Sequence, residues 1–364
     1  TYDITAAGHA LSGKDSVRIA DGTFILTAGK DGIYSGNEDN EEKGYIYIAD
    51  GDFTITSDGD GMDASNIVQI EDGTFDITAG GGVANSLKTH ESDMPGGPGG
   101  GMPQNGERPD GEDMPQDTTT DESGTSTKGI KADGDMYLNG GTYQIDSADD
   151  SIHSNANITI ADGTYTLATG DDGVHADDAL IVNGGTITVT ESYEGLEGLT
   201  VTINDGTIDI TASDDGINAA GGEMELNGGY IHILAGGDGV DSNGDLTING
   251  GEIYIDGPSD NGNSAIDYGD RSSAYVNGGT LVAIGSSGMA EGMSDSSKQK
   301  VLMVKLGEQM EAGDVVLTDS EGNVIVSYTA LKSYDCVIIS TAEVGSGATY
   351  TLITSGTTTE ATAE

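Results

Sequence analysis

The chain has 364 residues, of which 63 are acidic and 13 basic, for a formal charge of -50. A surface this acidic repels phosphate polymers and anionic lipid, which excludes nucleic-acid and anionic-membrane partners and leaves cations as expected ones. Hydrophobic content of 35% beside 59 glycines is too lean for a broad globular core.

No run of about 18 apolar residues is present, so no membrane insertion is expected. The chain begins at Thr1 without a methionine or signal peptide, as a trimmed or mature secreted form would. A repeat shows in the first segment. Val17, Arg18 and Ile19 lead into the turn Asp21-Gly22-Thr23, and the next turns fall at Gly51 and Gly73, 29 and then 22 residues on. The longer step holds the polar insertion 37–43.

Residues 86–128 interrupt the pattern. They hold five of the six prolines and no apolar periodicity, so they cannot offset the entropy of ordering. A mobile Met/Pro/Gly-rich loop is expected here, inserted into an otherwise intact rung, because register resumes at Gly129. A linker between two domains is the alternative, although the rungs on both sides are of one kind.

An acidic motif then returns as DDSIH at 149–153, DDGVH at 171–175, YEGLE at 193–197, DDGIN at 214–218 and GDGVD at 237–241. Its period of 21 to 23 residues is that of a solenoid. Turn glycines at 141, 163, 185, 206, 229 and 251 keep the same step. Short runs with period-two alternation adjoin the turns, such as Val201-Thr202-Ile203 before one and Thr186-Ile187-Thr188-Val189 after another. Each repeat supplies three short strands, so the expected fold is all-β, a single parallel β-helix of about ten rungs over 1–297. From 298 onward longer strand-like runs (301–306, 315–318, 324–328, 336–340 and 350–354) predict a C-terminal antiparallel cap and tail, 298–364, over the open end. The one cysteine, Cys336, falls in such a run; it excludes an intramolecular disulfide and reads as packing.

The repeat sorts its acids into columns. Aligned on the inward aliphatics Ile152, Val174, Leu196, Ile217 and Val240, the preceding position reads Asp150, Asp172, Glu194, Asp215 and then Gly239 or, with a slip of one, Asp238. The following outward position reads His153, His175, Glu197, Asn218 and Asp241. Rungs lie about 4.8 Å apart, and neighbouring carboxylates at such distances repel by about 1 kcal/mol even in water. Calcium, with six to eight oxygens at about 2.3 to 2.6 Å, spans that spacing; magnesium is tighter and zinc prefers His or Cys. Asp150, Asp172, Glu194, Glu197, Asp215, Asp238 and Asp241 are therefore the candidate metal-facing acids. The bland alternative is that the Asp-Gly pairs are only turns. Asn183, Asn204, Asn227, Asn249 and Asn277 predict a structural amide ladder. His153 and His175 read as ligands, sugar contacts or solvated surface.

The stretches DDGVHAD at 171–177, SYEGLEG at 192–198 and DDGINAAGG at 214–222 resemble the signature of a bacterial family of secreted, polysaccharide-lyase-like β-helix carbohydrate-binding domains. The resemblance covers about residues 8–290, and the Met/Pro/Gly-rich insertion shares it. It implies a right-handed helix, bound calcium with ligands on Asp172, Glu194, Glu197 and Asp215, and a secreted or bacterial cell-surface location. It also implies binding of cellulose and of acidic pectic sugars such as polygalacturonate, without established lyase turnover.

Enzymatic readings stand beside this one. Uronate β-elimination needs a base near a calcium-bound carboxylate, yet no Lys or Arg lies between Ala132 and Asp270. Lys128 and Lys131, beside Asp150 and His153, together with Lys88 are the candidate lyase bases; they equally suit binding of a uronate carboxylate. Asp171-Asp172 and Asp214-Asp215 are candidate hydrolytic pairs, although adjacent strand side chains are expected on opposite faces. Tyr137, Tyr193, Tyr254 and Tyr268 are candidate sugar platforms, with Tyr143 and Tyr165 inward. A calcium-stiffened adhesin is a third class. No ice-binding array is expected, because Asp209, His232 and Ile181 interrupt Thr166, Thr188, Thr159, Thr202 and Thr247. The expected function is calcium-dependent attachment to plant cell-wall polysaccharide; no sequence feature sets an oligomeric state.

Overall fold

The computed structural model describes residues 1–37, 39–40, 42–87, 126–269 and 271–363. Most of the loop expected at 86–128, and with it Lys88, lies outside the described residues. The chain winds as a parallel β-solenoid of about ten rungs with three walls. Wall one is built of strands of five or six residues, from Tyr2–Ala6 and Thr23–Ala28 through Thr142–Ser147 and Thr207–Ala212 to Thr280–Gly285. Wall two stacks three-residue strands such as Ile130–Ala132, Ile152–Ser154, Ile217–Ala219 and Val240–Ser242. Wall three stacks Val68–Ile70, Met136–Leu138, Ile158–Ile160, Met224–Leu226 and Leu246–Ile248. In two rungs, Val174–Val182 and Leu196–Ile203, walls two and three form one bent strand.

Alternation puts every second side chain inside. Ile152, Val174, Leu196 and Ile217 stack in register on wall two, each 0% exposed. On wall one all three phenylalanines, Tyr143 and Tyr165 form one inward column that ends on the exposed ring of Tyr2, with rings 4.6 to 5.0 Å apart and nearly parallel. The rung spacing imposes that separation. Tyr143 and Tyr165 are inward as expected, their hydroxyls donating to the carbonyls of Gly140 and Asp162 at 2.9 Å.

The turn into wall one requires glycine. Gly229 has φ of 85°, and a Cβ there would lie 2.6 Å from the Gly206 carbonyl oxygen. Beside these turns Asn204, Asn227, Asn249 and Asn277 each donate to the preceding asparagine at 2.8 to 2.9 Å, forming the expected amide ladder. Ile130 pairs with both Met62 and Ile152, so one solenoid continues across the insertion, which leaves and re-enters at the corner between walls one and two.

The cap does more than close the end. Tyr334–Ser340 adds to Thr280–Gly285 in antiparallel fashion, and Leu302–Met310 adds to it in turn. A second sheet, Val324–Ala330, Gly313–Thr318, Thr349–Ile353 and Thr358–Thr362, lies against the outside of wall one, where Val282 and Ile284 pack with Val315, Leu317 and Leu352. Cys336 is buried, and burial pushes its thiol up to about 11. No helix among the described residues is long and apolar enough to cross a membrane.

Candidate functional site

The acidic motif forms the corner where wall one turns into wall two. The corner is not strand, and its glycine is set by approach of the next rung: a Cβ on Gly195 would lie 2.3 Å from the carbonyl oxygen of Gly216. Register places Lys131, His153, His175, Glu197, Asn218, Asp241 and Asp267 in one outward column. Two residues before each inward aliphatic stands the other column, Asp31, Asp60, Lys128, Asp150, Asp172, Glu194, Asp215 and Asp238. Asp238 enters it with no slip, because Val240 pairs directly with Ile217.

In this inner column one carboxylate oxygen is structural. Asp150 Oδ1 accepts the N–H of Asp172 at 3.1 Å, Asp172 Oδ1 that of Glu194 at 3.2 Å, Asp215 Oδ1 that of Asp238 at 2.6 Å, and Asp238 Oδ1 that of Ser264 at 2.5 Å. Asp31 and Asp60 do the same for Asp60 and Lys128 at 3.1 and 2.7 Å. The turn reading and the ligand reading thus use different oxygens of one side chain. Asp31 and Asp60 carry the column toward the N-terminus, a continuation legible in their spacing from Ile33 and Met62.

Charge changes along the column. Midway, Lys128 Nζ joins Asp149 at 3.0 Å and Asp150 at closer range. Adjacent aspartates here converge on one ammonium rather than facing apart, because the corner lacks the strand's alternation. His153 is buried, with Nδ1 2.8 Å from Asp150 and Nε2 2.8 Å from Asn155. Against burial that would raise it, Lys128 and His153 hold the Asp150 carboxyl well below its usual range. His175 lies 3.1 Å from Asp172 and 3.2 Å from Glu197; despite burial, these partners and Asp177 hold it well above the usual imidazole range. Lys131 lies 3.6 Å from Asp63 and 3.5 Å from Asp133, whose charges raise its ammonium against burial.

From Glu194 onward along the two columns, among the described residues, only Glu197 keeps a basic partner of this kind, His175 at 3.2 Å. Burial and neighbouring acids push Glu194 well above the usual carboxyl range, Glu197 and Asp215 up to about 8, Asp238 to about 7 and Asp241 to about 6. Oxygens of Asp215, Asp238 and Asp241 lie within 4.8 Å of one another; so do ligand atoms of Asp172, His175 and Glu197, and of Asp150, His153 and His175. Asn218 stands between Glu197 and Asp241, 9% exposed. Its amide nitrogen donates to Glu194 Oε2 at 3.0 Å, while its Oδ1 is buried without a hydrogen-bond partner. An oxygen-rich set with an orphaned amide oxygen fits calcium and suits neither zinc nor a bare turn.

The candidate tyrosines do not share a surface. Tyr137 is on wall three, 37% exposed, donating to Asp135 at 3.0 Å. Tyr193 is half-buried at the acidic corner, where other rungs carry the first aspartate. Tyr254 is on wall one, with one face covered by Tyr328 of the cap at 5.3 Å. Tyr268 donates to the Gly292 carbonyl at 2.7 Å. The outward threonines likewise divide, Thr159 and Thr202 on wall three and Thr166 and Thr188 on wall one.

Comparison with curated proteins and with solved structures returns no significant match. Residues 1–173 and 171–360 both match the model of the family described as "Carbohydrate-binding domain-containing protein". The matches span the solenoid and most of the cap and meet within the acidic corner, and the chain belongs to that family.

Proposed function

We propose that the chain attaches, outside the cell, to plant cell-wall polysaccharide, and that its acidic corner holds polyuronate such as polygalacturonate through calcium. The carrying observation is the stretch from Glu194 to Asp241, where five carboxyls are raised by burial and by neighbouring acids beside an unpartnered amide oxygen. Asp215, Asp238 and Asp241, whose oxygens lie within 4.8 Å of one another, would hold the ion together with the Asn218 oxygen. Bound calcium supplies positive charge with coordination positions left over for uronate oxygens. The protein's part is to fix its oxygens on rigid rungs, so that little ordering remains to be done on binding. Cellulose, the other glycan that the resemblance implies, carries no carboxylate for such a bridge.

Attachment is favoured over lyase turnover by the state of the lysines. A general base must shed its proton near neutral pH, whereas Lys131 is raised and Lys128 is paired with two aspartates. Retention on immobilised polygalacturonate, followed with ultraviolet absorbance, tests this. Retention in calcium, its loss in chelator and flat absorbance are expected. Rising absorbance would make the chain a lyase, and retention unaffected by chelator would remove calcium from the account.

A further inference from the structure

The turns of this chain are rich in asparagine followed by glycine. At such a pair the glycine nitrogen can attack the side-chain amide before it, because no Cβ hinders the approach. The described residues hold seven of these pairs, and the fold restrains most of them. In five the amide nitrogen, which would have to leave, is pinned by a hydrogen bond. Asn139 donates to Glu71 at 3.0 Å, Asn243 to the Ala220 carbonyl at 2.8 Å, and Asn227, Asn249 and Asn277 to the preceding asparagine of the ladder at 2.8 to 2.9 Å. At Asn261 the attacking nitrogen is held instead, the Gly262 N–H donating to Asp260 Oδ1 at 2.8 Å.

Among the described residues Asn183 alone escapes both restraints. It is the first member of the amide ladder. Register aligns Val182 with Ile160, so the position one rung before Asn183 is Ala161, which offers no amide oxygen. Neither the Asn183 amide nitrogen nor the Gly184 N–H has a hydrogen-bond partner among the described residues. Yet Asn183 Oδ1 accepts the amide of Asn204 at 2.8 Å. That donor polarises the carbonyl toward attack and stabilises the oxyanion that attack creates. The side chain is exposed, so water reaches it. Asn183, Asn227 and Asn249 each follow an aliphatic residue and precede Gly-Gly, so their local sequence is nearly constant and the fold supplies the difference.

We infer that Asn183 is a site of covalent self-modification. The Gly184 nitrogen bonds to Asn183 Cγ and its proton passes to the departing amide, the Cγ–Nδ2 bond breaks, and ammonia leaves behind a succinimide ring. Water then cleaves one of the two C–N bonds of that ring, giving aspartate or isoaspartate; no oxidant or reductant takes part. Aspartate keeps an oxygen for Asn204. Isoaspartate adds a methylene to the backbone where the Asn183 N–H donates to the Ile160 carbonyl at 2.8 Å, and so loosens the turn into wall one. The rest of the ladder locks its own amides against the same reaction. The inference is independent of the polysaccharide reading.

The test is peptide mapping by mass spectrometry of the full chain after prolonged warming at mildly alkaline pH, with isoaspartate scored by enzymatic methylation. Asn183 converts about fivefold or more faster than Asn227 or Asn249, the rate equivalent of releasing one hydrogen bond of ordinary net strength. In denaturant the three sites convert alike. Ala161→Asn supplies the missing acceptor and slows Asn183 to the rate of Asn227. Asn204→Ala takes the polarising donor from Asn183 and the acceptor from Asn227, so the first site slows and the second quickens. Equal rates at the three sites in the folded chain, or an Asn183 rate unmoved by Ala161→Asn, would overturn the inference. A preference for Asn183 that persisted in denaturant would overturn it too, by placing the cause in local sequence.

Discussion

Asn218 is the residue at which the column changes character. On the rungs before it Asp150, Asp172 and Glu197 meet imidazole or ammonium; on its own rung and beyond, Asp215, Asp238 and Asp241 meet one another. Asn218→Leu keeps much of the side-chain volume and removes the orphaned oxygen, so calcium uptake should weaken by about tenfold, near 1.4 kcal/mol. Unchanged uptake by calorimetry would mean that the amide oxygen is no ligand. Lys128 marks the opposite case. Lys128→Met leaves Asp149 and Asp150 buried without their shared cation, a change expected to cost about 3 to 5 kcal/mol. A shift in denaturant midpoint equivalent to less than about 1 kcal/mol would instead indicate that water or another cation takes its place.

Among the elements, the corner is the most constrained. Gly195→Ala would place a methyl 2.3 Å from the Gly216 carbonyl oxygen and 2.4 Å from Ile210. Gly8→Ala, with nothing within 4 Å, is its control. The first should lower stability by about 1 to 3 kcal/mol, and the second should leave the melting temperature nearly unchanged; equal effects would contradict the rung approach. Walls and columns were legible in the sequence because strand alternation and the rung period act on every residue, so Ile152, Asp150 and His153 announce their places by spacing alone. The convergence of Asp149 with Asp150 was not, because period-two logic ends where the strand ends. Nor was the covering of Tyr254. Its neighbour Tyr328 reaches Asp256 from 72 residues away, through the packing of one sheet on another, and no local pattern encodes that contact.

At the scale of the whole molecule, the charge of -50 makes stability depend on pH and on cations. In chelator, Glu197 and Asp215 titrate near 8, Asp238 near 7 and Asp241 near 6, whereas in the unfolded chain such groups titrate near about 4. The folded state therefore holds protons more tightly. Its stabilisation is complete below the unfolded values and is lost as pH rises through about 6 to 8. Asp150, shifted the other way, titrates below that window. The melting temperature in chelator should fall between pH 5 and pH 9, and saturating calcium should flatten the fall; a rise, or no change, would mean that these acids are solvated.

The most direct test of the cation-held corner is calorimetric titration of calcium into the chelator-stripped chain, beside the double variant Asp215→Asn with Asp238→Asn. Both substitutions keep an oxygen able to accept the next rung's N–H while removing the charge. Saturable uptake with a Kd between about 10⁻⁵ and 10⁻³ M, abolished in the double variant, is the predicted result. Absence of saturable uptake by wild type, or equal uptake by the variant, would contradict the account.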